Sequence, residues 1–337
     1  MKKVMKRISA MALAAILAST AFSISVFAEE PLTIVPISVN PTNPLLRDDE
    51  GLVEINLSEI EAAEDGTFEI TLPNKTTITL SKNLVEYIAE LEGDAPVILT
   101  ASTENGLAFS MTKNGTDLNW YSITDPIIIS IPTTLPQDTN TNYFVIYRNL
   151  SEEIPMQIVP RSWYANGFVN AKVYSAGQFN TLYMGEGGFE DTKLHWANIA
   201  INYMVARGVM TGVDQGVFGP YAKITGRDFK EMLNVTMNTA LGIELSDPDK
   251  ILTRQEMFVL LYDALGKMEL LPEVMTQQFI MFDDWELITA EAATPIQNLA
   301  KLGLVNGSNG ILNPNAEVTI AEAAQLLYNL LKYDMVK

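Results

Sequence analysis

Phe189-Glu190-Asp191 and Phe282-Asp283-Asp284 open two copies of one pattern. In the first copy Gly208 and Gly212 follow a helical stretch, then Gly216-Val217-Phe218-Gly219-Pro220, then Ile224-Thr225. In the second, Gly303 and Gly307 are followed by Gly310-Ile311-Leu312-Asn313-Pro314 and Val318-Thr319. Five residues lead from Pro to Thr in both. A pattern recurring at this scale marks a supersecondary unit that buries its apolar face against its neighbours. The helix-ending glycines fit left-handed C-cap positions. The Gly-x-[Phe/Leu]-x-Pro stretch makes a tight loop that drops an apolar side chain into the core. Thr-x-x-acid then starts the next helix as a capping box: Thr225 with Asp228, Thr253 with Glu256, and Thr319 with Glu322. Three boxes predict three repeats, over 189–240, 241–268 and 282–333. The middle one is truncated, lacking its first helix and loop, because only 241–250 separates it from the preceding helix.

Apolar residues at helical spacing support the same region. They are Ile199, Tyr203, Met204 and Ala206; Phe229, Met232, Leu233 and Thr236; Met257, Leu260, Leu261 and Leu265; and Ala323, Leu326, Leu327, Leu330 and Leu331. Before Gly185-Glu186-Gly187-Gly188 the texture differs. Residues 51–188 read as a β-rich region of one or two small modules. Period-two runs at Phe68–Leu72 and Thr77–Leu80 lead a series of strand candidates: Val97–Thr100, Leu107–Met111, Ile127–Ile131, Tyr143–Tyr147, Met156–Val159, Phe168–Tyr174 and Phe179–Tyr183. Asp65-Gly66, Asn105-Gly106, Asn114-Gly115 and Asn166-Gly167 supply turns. One helix is predicted near Asn83–Leu91, with Leu84, Ile88 and Leu91 on one face. The fold class is therefore α+β, a β-rich N-terminal region followed by helical repeats.

Residues 1–28 have the pattern of a signal peptide: Lys2, Lys3, Lys6 and Arg7, an apolar stretch from Met11 to Phe27, and Val26-Phe27-Ala28, which presents small residues at the two positions a signal peptidase reads. Residues 29–50, with four prolines, read as an extended lead-in. The chain has no cysteine, which with the leader fits an exported bacterial protein that does not rely on disulfides. The net charge of -19 argues against nucleic acid, which requires a basic face. An anionic polymer could bind only through a local basic pocket.

The repeat residues resemble the S-layer homology family over roughly 189–333. Its pattern of F-x-D, W-A, helix, G-x-x-x-G, G-x-F-x-P and I-T-R-A-E is met by Phe189-Glu190-Asp191, His195-Trp196-Ala197, Gly208 to Gly212, Phe218-Gly219-Pro220 and Ile224-Thr225-Gly226-Arg227-Asp228. The resemblance implies three repeats packed as a helical unit. It also implies secretion, a place at the cell wall or S-layer, and binding to secondary cell-wall polysaccharide, often carrying a pyruvate ketal. A ketal carboxylate suits a guanidinium fork and helix N-terminal N–H groups, and a sugar face suits an aromatic ring. The candidate polysaccharide-binding residues are Arg254, Thr253, Trp196 and Arg227. The sequence departs from the family at Gly226, which puts Arg227 one position and about 100° around the helix, and at Ile320, which cannot pair with a carboxylate. Glu291 stands where the third repeat would have its tryptophan. Pro295 fits a first-turn proline with Thr294 as N-cap.

Each candidate has a plainer reading. Trp196 can be core, Arg254 can pair with a nearby acid, and Arg227 can be solvated. His195, the single histidine, reads as a helix-entry residue. Asp48-Asp49-Glu50, Asp247-Pro248-Asp249 and Asp283-Asp284 lack the alternating ligands of a calcium loop and read as solvated loops. No cofactor, metal site or catalytic constellation is expected. The expected protein is a noncatalytic surface protein anchored to wall polysaccharide. Two alternatives are a unit that has lost glycan binding and serves surface protein partners through assembly, and a wall-active enzyme anchored by the repeats.

Overall fold

The structure, a computed structural model, describes residues 52–91, 94–118, 120–149, 156–273 and 278–336. The leader at 1–28 and the lead-in at 29–50 lie outside them. The described residues divide into two compact units between Gly185 and Glu186.

The described residues of the first unit form twelve strands: β1 (Leu52–Asn56), β2 (Thr67–Thr71), β3 (Thr77–Ser81), β4 (Val97–Ser102), β5 (Leu107–Lys113), β6 (Thr116–Asp117), β7 (Ile127–Pro132), β8 (Phe144–Asn149), β9 (Gln157–Val159), β10 (Ser162–Ala165), β11 (Phe168–Val173) and β12 (Gly177–Tyr183). They form a seven-stranded sheet, β1-β4-β5-β12-β8-β9 with β6 on β5, and a five-stranded sheet, β10-β11-β7-β3-β2. The pairings are antiparallel. Strict alternation, as in β4 and β7, turns every second side chain inward. The inward residues of both sheets, among them Leu99, Phe109, Ile129, Ile146 and Val169, share one core. The region is therefore one sandwich and not two modules. Asn114-Gly115 and Asn166-Gly167 both carry positive φ and turn the β5–β6 and β10–β11 hairpins, as such pairs favour. Helix α1 (Lys82–Glu90) buries Leu84 and Ile88. Lys113, fully buried, donates from Nζ to the carbonyls of Ala89 and Leu91 at 2.7 and 2.6 Å. It satisfies the acceptors left open at the end of that helix.

The described residues of the second unit form five α-helices: α2 (Asn198–Ala206), α3 (Gly226–Met237), α4 (Arg254–Lys267), α5 (Ala290–Lys301) and α6 (Ile320–Asp334). The segments leading into α3, α4 and α6 meet in a closed ring of backbone hydrogen bonds. Ile224 N–H donates to Val318 C=O at 3.3 Å, Val318 N–H to Leu252 C=O at 2.9 Å, and Leu252 N–H to Ile224 C=O at 3.0 Å. All three side chains are buried. Three equivalent entries closing on one another give the unit a pseudo-threefold centre.

The Phe-x-Asp motif has a definite task. Asp191 accepts from the N–H groups of Phe218 and Gly219 at 2.9 and 2.8 Å, and Asp284 from Leu312 and Asn313 at 2.9 and 2.7 Å. Each carboxylate clamps the loop that inserts Phe218 or Leu312, both buried. Asp284 is therefore not the solvated loop residue expected from sequence. Gly208 and Gly303 have φ of 68° and 73° and end their helices in the left-handed conformation. Gly212 serves differently: a Cβ there would lie 2.5 Å from Phe189 Cε1 and 2.5 Å from the Val217 carbonyl oxygen. Its role is close approach, and not the capping expected.

Three further expectations change. Ile199 is exposed, because α2 turns Ala200, Ile201, Tyr203 and Met204 inward. Pro295 lies inside α5, whose N-cap is Thr289 and not Thr294. This helix begins a turn earlier relative to its terminal glycine than α2 does, so Glu291 falls within it. The middle repeat has no helix over 238–253, yet it keeps the end of its loop: Pro248 precedes Thr253 by the same five residues.

Candidate functional site

The starts of α3, α4 and α6 decide what these helices can bind. Each helix has four N-terminal N–H groups without an intrahelical acceptor, and here all four are used three times over. The cap Thr N–H donates to the carboxylate three residues on, at 2.8 Å for Thr225, 2.8 Å for Thr253 and 2.9 Å for Thr319. The N–H of Asp228, Glu256 and Glu322 returns the bond to the Thr hydroxyl. The remaining two donate to the neighbouring loop: Gly226 and Arg227 to the carbonyls of Lys250 and Pro248, Arg254 and Gln255 to those of Ala316 and Pro314, Ile320 and Ala321 to those of Ala222 and Pro220. The Pro–Thr spacing thus sets where each loop carbonyl meets the next helix. It follows that these N–H groups are not open to a ligand carboxylate, contrary to what the resemblance implies.

One groove joins all three repeats. It has a volume of about 600 Å³ and is lined by Trp196 ahead of α2, by Arg254, Met257 and Phe258 of α4, by residues 304–308 after α5, and by Glu322, Gln325, Leu326 and Asn329 of α6. Trp196 is 63% exposed, so it is surface and not core. Its ring lies 5.4 Å from that of His195, which in turn lies 5.2 Å from Tyr221. His195 accepts the Ala197 N–H at Nδ1, 3.1 Å away, and so serves the entry to α2. Arg254 donates from Nε to the Leu312 carbonyl at 2.7 Å and from Nη1 to Glu322 Oε1 at 2.8 Å, and its guanidinium carbon lies 5.5 Å from the Phe258 ring centroid. Both members of the pair are largely covered. Glu322 meanwhile caps α6 through Oε2.

The other candidates lie elsewhere. Thr253 spends its hydroxyl in its own capping box. Arg227 pairs with Asp249 at 2.9 Å in the open and does not line the groove, so Asp247-Pro248-Asp249 is partly engaged. Sequence reasoning missed Asn306, Ser308, Gln325 and Asn329, which give the groove its polar lining. No spacing rule points to them, because they face Trp196 and Arg254 only once the ring of repeats has closed.

Away from the groove, Arg207 is buried against Tyr203, its guanidinium carbon 3.3 Å from the ring centroid, and Tyr203 meets Tyr328 of α6 edge-on at 4.9 Å. Burial pushes the Arg207 guanidinium down to about 10 and the Tyr203 hydroxyl up to about 12. This cluster ties α2 to α6 and is architectural. At Glu256 burial pushes the carboxyl up, but Lys250 and the Thr253 amide and hydroxyl outweigh it and hold the group below 4.5.

Fold and groove together define a repeat unit of capped helices closed on a threefold centre, with a composite groove, following a β-sandwich in the chain. The sequence model of the S-layer homology domain matches residues 188–229 and 282–324. Two stretches of the helical unit thus carry S-layer homology repeats. Among curated relatives, the Amylopullulanase of Thermoanaerobacterium thermosulfurigenes is 24% identical over 283 residues, 68% of this chain and 15% of that protein. The Exoglucanase XynX of Acetivibrio thermocellus is 25% identical over 178 residues, 43% of this chain and 16% of that protein. The chain spans less than a fifth of the length of either. S-layer homology domains attach proteins to the cell wall, and this is where the chain is located.

Proposed function

We propose that this protein is a noncatalytic surface protein held to cell-wall polysaccharide through the groove between Trp196 and Arg254. The observation that carries the reading is the convergence of three sequence-distant repeats on that groove: an exposed indole, a guanidinium and a row of amides and hydroxyls. An indole face packs against the C–H face of a sugar, and amides bond its hydroxyls. The other two helix starts offer Gly226 and Ile320 at the place of Arg254, so attachment is monovalent and lacks the gain that linked sites give. The noncatalytic reading is supported by the small share of the two named enzymes that this chain matches.

The test is co-sedimentation of the purified protein with cell-wall sacculi, before and after extraction of the secondary polymer, with Trp196→Ala and Arg254→Ala alongside and circular dichroism to verify folding. Binding should depend on the polymer and weaken in both variants. A folded protein that ignores sacculi would end the groove reading and favour assembly with surface protein partners. Release of reducing sugar from wall polymer would contradict the noncatalytic part.

A further inference from the structure

We infer that Asn306 is a site of spontaneous deamidation, and that the carboxylate so formed ages the groove and loosens attachment; the second half rests on the groove being the polymer site. The chain has five Asn-Gly pairs, at Asn105, Asn114, Asn166, Asn306 and Asn309. In such a pair the glycine nitrogen can reach the asparagine side chain, because the glycine has no Cβ to obstruct the approach. Four of the pairs are pinned. Asn114, Asn166 and Asn309 stand at left-handed φ of 52°, 54° and 48°. Each lies in a two-residue turn closed by a strand or bridge pair, Lys113–Thr116, Ala165–Phe168 or Ser308–Ile311, and a closed turn resists the rotation that would carry the side-chain carbon onto the nitrogen. The Asn105 carbonyl accepts from Gln178 Nε2 at 3.2 Å, and Gly106 is pressed against β12, where a Cβ would lie 2.5 Å from the Phe179 carbonyl oxygen.

Asn306 is held by none of these. It is exposed, and among the described residues its carboxamide makes one long contact, Nδ2 to the Gly303 carbonyl at 3.5 Å. The Gly307 N–H has no acceptor among the described residues. The fold imposes the glycine: its φ is 65°, and a Cβ would lie 2.9 Å from the Ile311 carbonyl oxygen and 3.1 Å from the Phe282 ring. It does not impose the asparagine. The first repeat has the equivalent close-packed glycine, Gly212, but Thr211 precedes it, and threonine has no carboxamide to cyclise.

The Gly307 nitrogen bonds to Asn306 Cγ as the Cγ–Nδ2 bond breaks, and ammonia leaves with the proton of the Gly307 amide. Water then opens the five-membered imide at one carbonyl or the other. The product is aspartate, or isoaspartate with its main chain routed through Cβ, and in both a carboxylate replaces the carboxamide. Asn306 lines the groove, whose other charged lining residues are Arg254 and Glu322, paired at 2.8 Å. The modified groove gains a net negative charge and loses an amide donor, since a carboxylate only accepts. The new anion also competes with Glu322 for the guanidinium.

The experiment stores the purified mature protein in mildly alkaline buffer over several weeks. Samples are taken for peptide mass spectrometry, co-sedimentation with sacculi and circular dichroism. Of the five asparagines, Asn306 should convert first, and sacculus binding should fall in step with its conversion while the fold persists. Asn306→Asp should bind about fivefold or more weakly when fresh. Asn306→Gln, whatever its starting affinity, should not decline with storage. Conversion of another pair ahead of Asn306 would overturn the site. Aged protein, converted at Asn306 yet binding like fresh protein, would overturn the loss of attachment and leave the groove reading standing. A fresh, folded protein that ignores sacculi while Asn306 still converts first would overturn the groove reading and the consequence for attachment, and support the modification site itself.

Discussion

Asp191→Ala removes the acceptor of two backbone N–H groups at once, those of Phe218 at 2.9 Å and Gly219 at 2.8 Å. Both belong to the loop that holds Phe218, fully buried, in the core. A hydrogen bond to a charged group contributes about 1.5–3 kcal/mol when buried, and about 1 kcal/mol is the fairer figure at this partly open site. The pair then amounts to about 2 kcal/mol, and with a urea slope of about 2 kcal/mol/M the unfolding midpoint of the helical unit should fall by about 1 M. Asp284 makes the equivalent pair at 2.9 and 2.7 Å, so Asp284→Ala should fall by a similar amount. The readout is the helical far-ultraviolet dichroism signal across a urea series. Glu190→Ala is the control, since Glu190 makes only an exposed pair with Lys193, and such pairs contribute little. An Asp191→Ala midpoint indistinguishable from that of Glu190→Ala would refute the claim that the Phe-x-Asp carboxylate clamps the loop.

Gly212→Ala places a Cβ 2.5 Å from both Phe189 and a carbonyl oxygen, whereas Gly216→Ala meets nothing and bears only its φ of 73°. The first should lower the urea midpoint distinctly more than the second, whose cost should stay near about 1 kcal/mol. The depressed Glu256 carboxyl contributes stability that is fully present above its unfolded value of about 4.5 and is lost as pH falls through its lower folded value. Glu256→Gln should therefore flatten the acid limb of a midpoint-against-pH curve. The Tyr203 hydroxyl is buried with no hydrogen-bond partner among the described residues, so Tyr203→Phe should leave stability unchanged or raise it by up to about 1 kcal/mol. In a spectrophotometric titration, the same substitution should delete one phenol titrating near 12. Lys113→Met should destabilise the sandwich by about 2 kcal/mol, measured by thermal unfolding, because two helix-end carbonyls lose their buried donor.

Local rules carried much of the fold into the sequence. Period-two runs such as Phe68–Leu72 and Thr77–Leu80 became strands, because a half-buried strand demands alternation. Thr225, Thr253 and Thr319 became caps with reciprocal bonds, because the box closes within four residues. Strands β1 and β10 were not foreseen: each draws its identity from a neighbour, β4 in one case and β11 in the other. Pro295 was placed at a helix start by a rule that holds in isolation, yet packing extends α5 a turn ahead of it.

The sequence by itself determined the repeat, its caps, its loop spacing and the α+β order of the chain, since each depends on residues within a few positions of one another. Only tertiary structure decided that Trp196 faces outward. The same holds for the pairing of Arg254 with Glu322, 68 residues on, and for the use of the helix N–H groups by the next repeat's loop. These follow from closure of the Ile224, Leu252 and Val318 ring, and a ring closes through contacts between distant segments, which no local spacing encodes.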